Sequence, residues 1–209
     1  MRAASIGGMD GIELMATAMH AAKVRLDVAA GNLANVSSEG FHKRLARASL
    51  TAEGLETTSS VDASQGPLAR TGRNFDLALV GPGGFFVRDA QGRVVESRAG
   101  SFERDAQGRL VDARGRLLLG RDGPIVAGAG ATIDPRGIVR EAGAEVGRIR
   151  LRPGTTVQSG FLEASNVDAV HEMVDVLGAQ RAFETAQKVL CAIDDARSKD
   201  VNDVVRVKA

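Results

Sequence analysis

The 209-residue chain contains no tryptophan, no tyrosine and a single cysteine. Its only aromatic residues are seven phenylalanines, 3% of the total. That scarcity argues against a deep aromatic-lined pocket and against the stacking surfaces that nucleic-acid-binding modules use. The lone Cys191 excludes an internal disulfide framework and any metal site built from several cysteines. It is expected to act as a small apolar residue on a helix. An excess of one charge is also missing: 27 basic and 26 acidic residues leave a net +1. Nothing therefore drives phosphate binding, and no nucleic-acid partner is expected. No stretch approaches the ~20 apolar residues that cross a bilayer, so no direct membrane insertion is expected. The opening MRAASIGGMDGIELM lacks the continuous apolar stretch of a cleaved secretory signal.

What is present is ordinary in amount and unusual in arrangement. Apolar residues make up 44% and charged residues 25%, enough for a buried core, while glycine is abundant at 25 residues. Ile12, Met15, Met19, Ala22, Leu26, Ala29 and Leu33 recur at alternating intervals of three and four. This spacing predicts a helix over residues 11–33 with one seam facing a second helix. Met and Ala make the seam shallow. At the other end, Val167, Val170, Val174 and Leu177 form one stripe. Ala179, Ala182, Ala186, Val189, Ile193 and Ala196 form a second, offset at Gly178. Phe183 and Leu190 fall off that stripe, available to a further neighbour. A helix from about residue 167 to Lys199 is expected, with Asn166 or Ser165 as its N-cap. Gly7, Gly8 and Gly11 weaken the start of the first helix and Gly178 interrupts the second. Both ends are expected to gain order from neighbours.

Between the helices the pattern changes. RDAQGR occurs at 88–93 and 104–109, followed by DARGR, RDG and DPRG, each a turn cluster with a late glycine. The intervening FDLALV, GFFV, RVVES, RLVDA, RLLL, ATID, GIVRE and GRIRL are strand-forming. The expected fold class is α+β: long N- and C-terminal helices pairing as a coiled coil, around a compact antiparallel β domain. The expected segments are 1–43 (helix and asparagine-rich turn), 44–65 (polar linker), 66–155 (β domain) and 156–209 (C-terminal helix).

Chemical sites do not emerge. His20, His42 and His171 each lack a neighbouring His or Cys, GPGGFF has no following Lys-Ser/Thr, and RDAQGR lacks alternate acidic ligands. No catalytic, cofactor or metal residues are assigned, and no cofactor is expected. A hydrolase using His171 with a serine such as Ser165 is the alternative of another class, but no G-x-S-x-G occurs.

The helix-to-β passage is distinctive. NLANVSSEGF (32–41) sets Asn32 and Asn35 before Ser37, Ser38, Gly40 and Phe41, and GFLEASNVDAVHEMVDVLGAQRAFETAQKVL (160–190) leads into the C-terminal helix. Together with GPLARTGRNFDLALVGPGGFFV (66–87) and SRAGSFERDAQGRLVDARGRLLLG (97–120), these resemble the flagellar rod and hook axial proteins across nearly the whole chain. TGRNFDLAL and the short central domain look most like the proximal-rod subtype, with a distal rod or hook subunit as the alternative. The resemblance implies a non-enzymatic structural subunit of the basal-body rod, exported by the flagellar type III apparatus without a cleaved signal. It also implies polymerisation in the periplasmic space with itself and other rod subunits. The residues expected to carry assembly are Leu26, Asn32, Leu33, Asn35, Gly40, Phe41, Asn166, Val170, Val174, Leu177, Phe183 and Val189. Asn and Gly accept the backbone bends that such a passage requires.

Overall fold

The computed structural model describes residues 11–51 and 54–207. Gly7 and Gly8 lie outside the described residues. The chain folds as two compact units. One holds the terminal helices and residues 44–61; the other comprises Ala34–Lys43 and Asp62–Val167.

In the helical unit, α1 spans Gly11–Ala34 and α2 spans Ala169–Val207. All seven expected seam positions of α1 are buried or half-buried, with Ala22 and Ala29 the most enclosed. Among the described residues of α2 the covered positions are Ala169, Glu172, Val176, Ala179, Phe183, Ala186, Leu190 and Ile193. They alternate at four and three, one unbroken stripe that passes Gly178 without an offset. This corrects the expected seam. Phe183 and Leu190 lie on the covered stripe, while Val170, Val174, Leu177 and Val189 are exposed at 72%, 63%, 55% and 40%. The reason is Glu172. Its carboxylate accepts a hydrogen bond from Asn32 Nδ2 at 3.1 Å, so an acid occupies a position that hydropathy assigns to solvent. A Cβ added at Gly11 would lie 3.6 Å from Ile193 Cδ1. These contacts join positions 32 to 172 and 11 to 193, which runs the helices antiparallel.

Residues 44–65, expected as a polar linker, carry an antiparallel hairpin instead: β1 (Arg44–Thr51) and β2 (Gly54–Val61), in register from Arg44↔Val61 to Thr51↔Gly54. Most of its described side chains are exposed. Among the described residues neither face is covered enough to impose apolar alternation, so the strands left no period-two signal. Such a two-stranded hairpin is marginal by itself.

In the β unit, β5 (Phe85–Arg88), β6 (Val94–Ser97), β7 (Phe102–Arg104), β8 (Leu110–Asp112) and β9 (Leu117–Leu118) form a sheet in the order β6-β5-β9-β8-β7. β10 (Thr132–Ile133), β11 (Ile138–Glu141) and β12 (Ala144–Arg148) form a second sheet. β4 (Leu77–Val80) pairs with β13 (Thr156–Ser159), and β3 (Leu68–Arg70) with β14 (Phe161–Glu163). All of these pairings are antiparallel, as expected for the α+β class. The core is aliphatic: Leu77, Leu79, Val87, Leu110, Leu118, Val139, Ile149 and Val157 surround Phe85 and Phe102, whose rings meet edge-on at 5.3 Å. Leucine, isoleucine and valine fill the space that tryptophan and tyrosine occupy in other cores.

The repeated turns share one device. In the turn between β5 and β6, Asp89 Oδ1 accepts the backbone N–H groups of Gln91 and Arg93 at 3.0 and 2.8 Å, and Oδ2 accepts Arg93 Nε. Asp105 and Asp112 repeat this pattern with Arg109 and Arg116. Gly92 closes its turn at φ +80°, a left-handed conformation that L side chains resist.

Asp76, Glu96 and Asp134 make the fold acid-sensitive. Burial pushes the Asp76 carboxyl up, but hydrogen bonds from Arg73 and Thr71 and the Arg73 charge outweigh it and hold it below the ordinary range. Glu96 is held down chiefly by hydrogen bonds from Arg152, against burial. At Asp134, burial raises the carboxyl and the backbone N–H groups of Ile138 and Arg136 more than reverse that. A carboxyl lowered on folding contributes stability above its unfolded value, and that contribution is lost as pH falls through the folded value. The thermal midpoint should therefore drop steadily below about pH 4. Calorimetry at pH 7, 4 and 3 checks this; an unchanged midpoint at pH 3 would contradict it.

Candidate functional site

The turn that leaves α1 is built from hydrogen bonds that the asparagines and one glycine make possible. In the helical unit, Asn32 is 1% exposed. Its Oδ1 accepts the Arg44 backbone N–H and its Nδ2 donates to the Arg44 carbonyl, both at 2.8 Å. The amide thus imitates a strand partner for the first residue of β1, and its second N–H reaches Glu172 Oε2. One side chain anchors both the base of the hairpin and α2. The oxygen and nitrogen of the Asn32 amide both find partners, which offsets the cost of removing them from water.

Within the β unit, Asn35 shapes the turn. Its carbonyl accepts the Ser38 N–H at 3.0 Å and its Oδ1 accepts the Ser38 hydroxyl at 3.1 Å. Gly40, at φ +60°, donates its N–H to the Glu163 carbonyl at 2.7 Å. A Cβ there would stand 2.3 Å from the carbonyl carbon of Arg98. Half-buried Phe41 accepts the Asn166 N–H through its carbonyl at 3.3 Å.

Asn166 serves as a second clamp. Its Oδ1 accepts the Lys43 N–H at 2.6 Å, and its Nδ2 donates to the Ser64 carbonyl at 2.9 Å. It therefore fastens both ends of the excursion that the hairpin makes. Asn166 is not the N-cap of α2. Asp168 holds that place, its Oδ1 accepting the N–H groups of Val170 and His171 at 2.9 and 3.1 Å. The Ser165 hydroxyl accepts the Val167 N–H at 3.2 Å, the contact of a local turn.

Beneath the turn lies a charged cluster that the sequence did not disclose. Glu163, 1% exposed, accepts Arg98 Nη1 at 2.8 Å and the Gly66 N–H at 3.0 Å, with His42 Nε2 3.1 Å away. Arg98 donates further to the carbonyls of Gly83 and Gly81. The only signal was the acid inside GFLEASN, a short strand followed by a turn that the Ser165 hydroxyl closes on the Val167 N–H. Its partners are too distant in sequence to be inferred.

The other expected residues separate into two groups. Leu26, Leu33 and Phe183 are half-buried. Val170, Val174 and Leu177 are exposed, and Met173 at 52% joins them at helical spacing. Among the described residues, no helix is long and apolar enough to cross a membrane.

The family described as flagellar basal body rod FlgEFG protein C-terminal matches residues 158–203, which contain β14, Asn166 and most of α2. The chain is 31% identical to the flagellar basal-body rod protein FlgF of Escherichia coli K12, covering 86% of this chain and 93% of that one. It is 31% identical to FlgF of Caulobacter vibrioides, over 79% of this chain and 85% of that one. To the flagellar basal-body rod protein FlgG of Agrobacterium fabrum it is 27% identical, over 91% and 97%.

Proposed function

The chain belongs to the flagellar basal-body rod protein family and is a structural subunit of that rod; from this premise we propose how its terminal helices assemble. The two helices pair lengthwise as a coiled coil, and the exposed stripe Val170, Met173, Val174 and Leu177, with Val189 beyond it, is covered by neighbouring rod subunits. The observation that carries the reading is this stripe: four large apolar side chains at i, i+3, i+4 and i+7, all open to solvent in the single chain. Helix faces of that kind mark interaction surfaces. Leu26, Leu33 and Phe183 hold the helices together, and the Asn32, Asn35, Gly40, Phe41 and Asn166 turn sets the path from helix to β unit.

The rod position we propose is proximal, supported by TGRNFDLAL and the short central segment. Delivery is through the flagellar type III export apparatus, and assembly takes place in the periplasmic space with other rod subunits. Basal bodies isolated from a deletion strain should stop before the distal rod.

Val174→Asp tests the stripe. At an exposed position the substitution should change folding stability by no more than about 0.5 kcal/mol. A charge placed in a covered apolar contact, by contrast, is strongly disfavoured. Swimming should therefore be lost while the purified chain melts as before. Normal swimming of that strain would remove the stripe from the assembly surface.

A further inference from the structure

The β unit carries a cleft of about 300 Å³ between the turn residues Ser38 and Glu39 on one side and Ser97, Ser101 and Arg114 on the other. Most of its charges are neutralised internally, Arg116 by Asp112 and Glu96 by Arg152. Two are not. Among the described residues neither Glu39 nor Arg114 makes a salt bridge. The long-range field of Glu39 acts on Arg73, which is itself committed to Asp76. Arg114 uses only its backbone N–H, on Asp112. The cleft thus offers one unpaired anion and one unpaired cation.

Elsewhere on the same unit, the Gly120 N–H donates to the Gly123 carbonyl at 2.7 Å and closes a tight turn. Arg121 and Asp122 stand exposed at its tip, and neither makes a salt bridge among the described residues. An adjacent cation and anion on a short, closed turn is the inverse of the pair in the cleft. We propose that the Arg121–Asp122 turn of one copy docks in the cleft of a second copy, Arg121 toward Glu39 and Asp122 toward Arg114. The two patches differ, so the contact is head-to-tail, the heterologous kind that propagates as a filament wherever its rotation does not close into a ring. Exposed ion pairs add little affinity and mainly set register and exclude wrong partners. The inference rests on the rod reading above, with the apolar stripe of α2 supplying adhesion.

Charge reversal with the full chain, returned to a deletion strain, tests it. Glu39→Arg and Arg121→Glu should each shrink swimming by at least about half, because each sets like charges face to face. The two combined should restore it. In a Cys191→Ala background, the Glu39→Cys and Arg121→Cys pair should cross-link on mild oxidation to a dimer of this chain. Single reversals that swim normally, a double variant no better than the singles, no cross-link, or a cross-link to a different rod protein would each overturn the proposal. Loss of swimming on Val174→Asp alongside any of those results would leave the rod reading standing and remove only this contact.

Discussion

Glu163→Ala should lower the folding stability of the chain by about 3–5 kcal/mol, the usual loss when one partner of a buried ion pair is removed. Glu163 has a side chain with no solvent exposure, and that of Arg98 is 11% exposed. Without the carboxylate, the Arg98 guanidinium keeps its bonds to the Gly83 and Gly81 carbonyls but loses its countercharge. The Gly66 N–H is left without an acceptor. Burial leaves water little access to replace either partner. Glu163→Gln separates charge from hydrogen bonding. Its amide oxygen can still accept from Gly66 while its neutral side chain leaves Arg98 uncompensated, so an intermediate loss is expected. Urea unfolding of the purified variants gives both values. A loss under about 1 kcal/mol for the alanine variant would show that the cluster is more hydrated than its geometry implies.

Gly40→Ala should break the docking of the turn. A Cβ at this residue would fall 2.3 Å from the Arg98 carbonyl carbon, 2.5 Å from its oxygen and 2.6 Å from the Ala99 nitrogen. All three are backbone atoms, so no side-chain rotation relieves the overlap. The left-handed φ of +60° adds about 1–2 kcal/mol for any L residue. A total loss of about 2–4 kcal/mol is expected, with the Gly40 hydrogen bond to Glu163 given up as the turn moves away. Gly92→Ala is the control. It carries a similar φ, +80°, but a Cβ there meets nothing within 4 Å. It should therefore show the backbone cost alone. Limited proteolysis should cut residues 34–43 of the Gly40 variant faster than the same segment of the Gly92 variant. Swimming should fail only in the former. Equal cleavage and equal motility would mean that close approach at Gly40 is immaterial.

Much of the local structure is legible in the sequence. The seam of α1 follows from intervals of three and four, and every position it named is at least half-buried. The aspartate-led turns follow from their own residues, because one carboxylate caps the N–H groups two and four positions ahead. The place where the chain bends out of α1 was marked by its asparagines and by Gly40. Membership of the rod family was carried by motifs spread along the chain.

Other features required the folded chain. The same periodicity that succeeded on α1 misplaced the covered face of α2. Hydropathy takes Glu172 for a solvent residue, whereas Asn32, from the opposite end of the chain, makes it a buried one. The hairpin at 44–61 escaped because, among its described residues, neither face is covered enough to impose alternation. The pairings of β3 with β14 and β4 with β13 join segments separated by most of the β unit. Glu163 found Arg98, Gly66 and His42 only through those pairings. By itself the sequence determined what depends on neighbours within a few residues: helical period, turn geometry and the left-handed bend at Gly40. Tertiary structure decided which face is covered and which charges are matched. A buried charge or an apolar stripe is stabilised by groups remote in the chain, and local pattern holds no information about their arrival.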